Sequence, residues 1–183
     1  VQKGDSLSKV AGREDVYGNV LMWPSLFRLN MDRLGGMKVA EAFDLKWSSL
    51  FRLNTDSSNE VNVLENFEAE ELPEGLKLKF VTEKDAKENL AEVAQKIWVV
   101  SVISSQNMKS LVPPAITLMK NGYRVYISEA RVKGRDWMRL RVGFFASHEK
   151  ATKEGEKIMS LLGEDETWVT RIAQSELENY GRY

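Results

Sequence analysis

The stretch "YRVYISEARVKGRDWMRLRVGFF" (Tyr123–Phe145) decides the fold of the second half of the chain. Apolar and polar residues alternate on both sides of "KGRD", which is the pattern of half-buried β-strands. The glycine and the charged residues of "KGRD" indicate a turn. The stretch therefore predicts two strands joined by a turn.

The neighbouring stretches complete a βαββαβ order. "IWVVSVISS" predicts a strand upstream, because Trp98–Ile103 is β-branched and aromatic. "SLVPPAITLMKNG" predicts a helix that ends at Gly122, and "SHEKATKEGEKIMSLLG" predicts a helix capped by Ser147. "TWVTRIA" predicts the last strand. This order indicates one sheet packed against two helices.

Length and composition are those of a globular protein. The chain has 183 residues, enough for one or two domains, and is 43% hydrophobic and 29% charged. No apolar run approaches the roughly 18 residues needed to span a membrane, and no signal-peptide pattern is present. The chain opens on "VQKGDSL", which reads as the middle of a strand-turn element. We therefore expect residues upstream of it, with room there for an export signal.

Several kinds of chemistry are excluded by residue type. Without cysteine, the chain has no disulfide and no thiolate chemistry, and a single histidine is too few for a zinc site. The acidic run "ENFEAEELPEG" lacks the regular Asp spacing of a calcium loop and predicts a solvated face. "GDSL" (Gly4–Leu7) matches a serine-esterase name, but His148 beside a helix N-cap is a poor base for Ser6. We expect no catalysis, no metal and no cofactor.

The second half carries a recognisable set of residues around its third strand. They are Trp137, Arg139, Leu140, Arg141, Val142, Gly143, Phe144, Ser147 and Ala151. With "WVVSVISSQN", "YRVYIS" and "TWVTRI", this set resembles a SPOR domain, a βαββαβ module. The resemblance implies binding of peptidoglycan glycan strands that have been stripped of their stem peptides, as found at division septa.

Strand alternation predicts where such a ligand binds. One face of the sheet is apolar and must contact the helices: Trp98, Val100, Val102, Met138, Leu140 and Val142. The other face is predicted to be open: Val99, Ser101, Ile103, Arg124, Tyr126, Ser128, Trp137, Arg139, Arg141, Trp168 and Thr170. The predicted glycan-binding residues are Ser101, Ser104, Tyr126, Trp137, Arg139, Arg141 and Trp168, with the two tryptophans as stacking anchors. The alternative is that these tryptophans only cover the sheet or contact the other domain.

The first half contains an internal repeat. "WPSLFRLNMD" (Trp23–Asp32) returns after 24 residues as "WSSLFRLNTD" (Trp47–Asp56), and 11 of the 22 aligned positions of 23–44 and 47–68 are identical. Each copy has Trp, Leu, Phe and Leu at i, i+3, i+4 and i+6, so each predicts a helix with an apolar face to bury. "GDSL" and "PEGLKL" occur once each, which favours one domain with a duplicated segment over a repeat array. The sequence leaves open which copy fills the core.

Residues around the repeat resemble a LysM domain, a βααβ module that binds N-acetylglucosamine-containing glycans. The matching residues are Gly4, Asp5, Leu7, Val10, Ala11, Tyr17, Gly18, Trp23, Leu26, Phe27, Asn30, Gly75 and Leu78. The segment "LPEGLKLKF" is predicted to be the closing edge strand. The resemblance implies a sugar groove between two loops, formed by Gly4, Asp5, Ser6 and Leu7 and by Met31 and Asp32, or Thr55 and Asp56. Asn30 and Asn54 are expected to be helix caps.

Together these patterns predict an α+β protein of two domains. A LysM-like βααβ unit (1–80) contains a helical hairpin inserted by duplication, a solvated linker helix follows (81–96), and a SPOR-like βαββαβ unit of ferredoxin or RNP type closes the chain (97–183). The predicted function is non-catalytic binding of peptidoglycan in the periplasm or cell envelope of a bacterium, with cell-division or envelope proteins as further candidate partners. The alternative is an envelope protein-interaction module that has lost sugar binding, because Ser101 stands where SPOR domains often have Gln.

A third reading is an RNA-binding βαββαβ module. It is weaker because "WMRLRVGFF" lacks the Lys/Arg-Gly-Phe-x-Phe signature of RNA-binding sheets. The net charge is −1, divided into −4 for residues 1–96 and +3 for 97–183, which gives little attraction for a polyanion. We therefore expect no nucleic-acid partner.

Overall fold

The computed structural model of the chain describes residues 1–34 and 72–183. They form an α+β protein that divides into two compact units, Val1–Lys79 and Phe80–Tyr183. The predicted second copy of the repeat (47–68), the end of the first copy (35–44) and the inserted hairpin lie outside the described residues.

Unit 1 begins with short helices. Ser6 caps the first of them, because its hydroxyl accepts a hydrogen bond from the backbone N–H of Lys9. Asn19 caps a 3-10 helix (Val20–Met22) in the same way. The α-helices of this unit are α1 (Leu7–Ala11), α2 (Trp23–Leu29) and α3 (Met31–Leu34).

The first copy of the repeat contributes to the core of unit 1 as far as the structure describes it. Helix α2 begins at Trp23, with Pro24 in its first turn. Trp23, Leu26 and Phe27 are buried, while Leu29 is half-buried. The predicted apolar face therefore forms in this copy, and the burial of a side chain as large as Trp23 stabilises it.

The closing segment of unit 1 differs from the prediction. Residues 76–80 belong to no helix or strand of the described part of the chain, although half-buried leucines alternate there with exposed lysines. Instead, the side chain of Asn30 binds the backbone N–H and C=O of Lys79, each at 2.8 Å. Arg33 donates to the carbonyl of Lys77, and the amino group of Val1 donates to the carbonyl of Leu76. A side-chain amide thus takes the place of a strand partner.

The predicted linker helix forms but is not a free linker. Helix α4 (Glu83–Val93) begins with a capping box between Thr82 and Asp85. Its last residue, Val93, is buried in a cluster with Val99 and Leu177. The helix therefore belongs to the core of unit 2.

The sheet of unit 2 has four antiparallel strands. In chain order they are β1 (Trp98–Ser105), β2 (Val125–Val132), β3 (Arg135–Phe145) and β4 (Trp168–Arg171). Their spatial order is β2-β3-β1-β4. The turn between β2 and β3 is Lys133–Gly134, and both residues have positive φ, as a two-residue hairpin turn of type I′ requires.

Two helices cover one face of this sheet. Helix α5 (Val112–Lys120) has Pro113 and Pro114 in its first turn, where proline is tolerated. Helix α6 (His148–Leu162) has Ser147 as its N-cap and Gly163 in the left-handed conformation at its end. A further helix, α7 (Gln174–Tyr180), follows β4 and was not predicted.

Candidate functional site

The register of the strands defines the face of the sheet opposite helices α5 and α6, called the front face below. Ser101 of β1 pairs with Arg141 of β3 and with Trp168 of β4. Arg141 also pairs with Tyr126 of β2. Paired residues point to the same side, and side chains two residues along a strand return to that side. The front face therefore carries the predicted residues Ser101, Tyr126, Trp137, Arg139, Arg141 and Trp168.

A β-bulge corrects the prediction for the end of β1. The register shifts between Ser101 and Ile103, so Ile103 pairs with Leu140 and Ser104 pairs with Arg139. Because Leu140 is fully buried on the helix side, Ile103 leaves the front face that was predicted for it. Ser104 takes its place beside Arg139.

Half of the front face is not open, contrary to the prediction. Val99, Tyr126 and Phe144 form a buried cluster with Val93 of α4 and Leu177 of α7. The ring of Tyr126 also stacks on Tyr180, with 4.8 Å between the ring centroids. Two helices from the ends of unit 2 therefore cover this half of the face.

Three predicted glycan-binding residues lie under this cover. Ser101, Tyr126 and Arg141 are buried, and so is Ser128. The hydroxyl of Tyr126 donates a 2.9 Å hydrogen bond to Oε1 of Glu176, and Arg141 forms an ion pair with the same oxygen. In this conformation Tyr126 and Arg141 are paired with the protein's own helix, and none of the three buried residues can contact a sugar.

Burial and charge fix the protonation of Tyr126. Loss of solvent raises the pKa of its hydroxyl well above the usual value, and the negative charge of Glu176 raises it further, with Arg141 opposing. The hydroxyl therefore stays protonated at neutral pH and acts as a hydrogen-bond donor.

The rest of the front face is accessible and is called the outer half: Ser104, Trp137, Arg139 and Trp168. Trp168 is 49% exposed, and the other three residues are half-buried. Trp137 and Trp168 lie two strands and four positions apart, which separates their Cα atoms by roughly 16 Å at about 4.8 Å per strand and 3.3 Å per residue. Two aromatic rings thus flank an arginine and a serine.

The predicted loop of unit 1 uses its polar groups internally. The carboxylate of Asp5 is buried and accepts hydrogen bonds from Arg13, at 2.7 and 2.9 Å, and from the backbone N–H of Gln2. Ser6 is also buried, and its hydroxyl lies 3.0 Å from that of Ser8. Gly4 has φ of 82°, a conformation that suits glycine. These contacts shape the loop rather than leave polar groups free for a ligand.

The segment after helix α2 (Met31 and Asp32), the other predicted side of the unit 1 groove, makes fewer internal polar contacts. Met31 and Leu7 are half-buried, and Asp32 is exposed with Lys79 at 3.7 Å. Within residues 1–34 and 72–79, no hydrogen bond or ion pair joins Met31 or Asp32 to residues 4–7. Thr55 and Asp56 lie outside the described residues.

The described residues contain no group of three or more His, Asp or Glu side chains that could hold a metal ion. His148 packs edge-on against Trp98, with 5.0 Å between ring centroids. None of the helices in these ranges is long and apolar enough to cross a membrane.

Comparisons with family models, curated proteins and solved structures find no match to this chain. The residue that sequence analysis missed is Glu176, which fills the polar centre of the front face. The only local signal for its helix is Leu177 and Tyr180 at i, i+3, followed by Gly181.

Proposed function

We propose that the protein binds peptidoglycan glycan strands without catalysis, in the periplasm or cell envelope of a bacterium. The observation that carries this proposal is the outer half of the front face. Trp168 presents a large ring to solvent at 49% exposure, and Trp137 lies on the same face. Aromatic rings stack on the C–H faces of pyranose sugars, while Arg139 and Ser104 can donate hydrogen bonds to sugar hydroxyls.

The resemblance of the strand-three residues to SPOR domains and of unit 1 to LysM domains supports the same class of ligand. Two weak sites on one chain would act together on a long polymer, because binding of the second site becomes intramolecular. In unit 1 this support is limited to Leu7, Met31 and Asp32, since Asp5 and Ser6 are held by internal contacts.

One observation favours a second function. The covered half of the front face already binds a protein element, because Glu176 and Leu177 of α7 dock onto it. A partner helix could dock in the same way, which makes the protein an envelope interaction module. This alternative predicts that the chain binds a partner protein and does not pellet with peptidoglycan glycan.

Sedimentation with insoluble sacculi tests the proposal. We expect the chain to pellet with amidase-treated sacculi and Trp168→Ala to bind about 5- to 30-fold more weakly, the effect of losing about 1–2 kcal/mol from an aromatic anchor. Trp137→Ala should weaken binding in the same direction. Thermal unfolding of Trp168→Ala should stay near that of the wild type, because exposed positions change stability by only about 0.5 kcal/mol.

Leu161→Ala is the matched control, since Leu161 is 39% exposed on helix α6, away from the front face. It should bind like the wild type. If the wild-type chain stays in the supernatant, or if Trp168→Ala pellets equally well, glycan binding at this face is wrong. A parallel gel shift with single-stranded RNA separates this reading from a nucleic-acid module.

A further inference from the structure

The covered half of the front face has the composition of an anion site. Arg141 is buried with a side-chain exposure of 7%, and the Glu176 carboxylate that it contacts is supplied by a different element, helix α7. Tyr126 donates to the same carboxylate oxygen. An arginine and a protonated tyrosine that converge on one oxygen are the donors with which proteins bind carboxylates.

This site has more donors than Glu176 uses. The hydroxyl of Ser101, which is only 1% exposed, has no hydrogen-bond partner, and Nε of Arg141 has none either. Ser101 and Arg141 are paired across β1 and β3, so these groups lie at one place. Buried polar groups normally find partners, because leaving one unpaired costs about 1–3 kcal/mol. The site therefore offers hydrogen bonds that its present occupant leaves unmade.

Different contacts hold the two ends of helix α7. Arg124 donates to the carbonyls of Gly181 and Tyr183 at 2.6–3.0 Å, and Asn89 donates to the carbonyl of Arg182. At the start, the N-cap residue Ala173 has no side chain that can bind the free N–H groups. Glu176 lies in this first turn. Unwinding of the residues up to Glu176 would free Arg141, while the buried Leu177 and the contacts of Arg124 hold the rest of the helix.

The site is continuous with the outer half of the front face. Trp168 pairs with Ser101, and Arg139 lies two residues from Arg141 on the same side of β3. A glycan on the outer half would thus place its substituents beside the Glu176 carboxylate. Removal of stem peptides from peptidoglycan leaves a free lactyl carboxylate on muramic acid, where the intact strand has an amide.

We infer that Arg141, Tyr126 and Ser101 form a carboxylate-binding site, that Glu176 fills it in the free chain, and that a carboxylate of the bound glycan replaces Glu176. This inference rests on the proposed function and names the feature of the glycan that is recognised. Helix α7 then competes with the ligand. The apparent affinity for glycan falls as the fraction of chains in which Glu176 fills the site rises.

The test compares two charge-removing variants of the same helix. Glu176→Gln keeps the shape of the side chain but removes the carboxylate. Glu178→Gln makes the same change at an exposed position whose carboxylate contacts Gln174. We expect Glu176→Gln to bind amidase-treated glycan about tenfold tighter than the wild type, which corresponds to about 1.4 kcal/mol, and Glu178→Gln to bind like the wild type. Glycan whose carboxylates have been converted to amides should lose this gain.

A second measurement uses the wild-type protein and needs no polymer. N-acetylmuramic acid, followed by NMR, should shift the signals of Tyr126 and of the 174–176 backbone, whereas N-acetylglucosamine should not. If the chain binds glycan but Glu176→Gln binds no tighter and the acid shifts nothing, the inference is wrong and the proposed function stands. If no glycan is retained but the acid shifts these signals, the carboxylate site stands and the proposed function is wrong.

A purely structural role for the ion pair gives the opposite result for the variant. Glu176→Gln would then bring no gain in binding, whereas a lower melting temperature is expected in either case, because the variant removes the charge partner of the buried Arg141. Should the variant fail to fold, the titration of the wild-type protein decides the question alone: shifts at Tyr126 with the acid support the site, and unchanged signals overturn it.

Discussion

The amide of Asn30 gives the sharpest stability prediction. This residue is fully buried, its Nδ2 donates to the carbonyls of Leu26 and Lys79 at 2.7 and 2.8 Å, and its Oδ1 accepts from the N–H of Lys79 at 2.8 Å. Asn30→Ala removes all three bonds. At about 0.5–1.5 kcal/mol each, the loss is about 1.5–4.5 kcal/mol, and the N–H of Lys79 is left without this partner.

Hydrogen exchange of the Lys79 amide measures this loss locally. A loss near the middle of that range, about 3 kcal/mol, should speed its exchange on the order of a hundredfold. Asn54→Ala is the matched control, because it makes the same change in the second copy of the repeat while Asn30 still holds Lys79. If Asn30→Ala leaves the exchange of Lys79 unchanged, or if Asn54→Ala has the same effect, the conclusion that Asn30 of the first copy holds Lys79 is refuted.

Two further predictions concern unit 2. Leu177→Ala should destabilise unit 2 by about 2–5 kcal/mol in urea unfolding, because Leu177 is fully buried against Val99 and Val93. Leu161→Ala, at an exposed position, should change the free energy of unfolding by no more than about 0.5 kcal/mol. Equal effects of the two variants would show that α7 does not pack on the sheet. Burial, and then the charge of Glu176, raise the pKa of Tyr126 in the folded state. The contribution of the protonated hydroxyl to the free energy of unfolding is therefore complete below the unfolded pKa of about 10, and it is lost as the pH rises through the folded pKa. Absorbance of the phenolate should therefore appear at higher pH in the native protein than in urea. Tyr126→Phe should remove one tyrosine from that delayed component and leave those of Tyr123 and Tyr180, whose pKa values burial also raises.

The sheet was predictable because its signal is local. A period of two in "YRVYISEARV" and "WMRLRVGFF" places alternate side chains on opposite faces whatever the rest of the chain does. The same holds for Ser147, whose hydroxyl needs only the next turn of its own helix to act as a cap. The exposure of Trp168 on the front face agrees with that alternation.

The errors have non-local causes. The bulge that moves Ile103 off the front face is a mismatch between β1 and β3, and neither strand shows it alone. Tyr126 is buried because helices from both ends of unit 2 pack on it, and its hydroxyl bonds to Glu176, 50 residues away in sequence. Asn30 is the C-cap of α2, as predicted, but its contact with Lys79, 49 residues away, was not predicted. Such contacts follow from tertiary packing, which propensity and periodicity do not contain.

The hairpin of β2 and β3 reaches beyond its neighbour in the sheet. Strand β1 pairs as far as Met138, while β2 and β3 continue through three more residue pairs to the exposed turn at Lys133–Gly134. Residues inserted into this turn would lengthen only the exposed end of the hairpin, because exposed loop tips tolerate insertions. A fluorescent or epitope peptide grafted there would stand next to Trp137 with the register of the four strands unchanged. The fold thus provides its own attachment point for a reporter beside the candidate site.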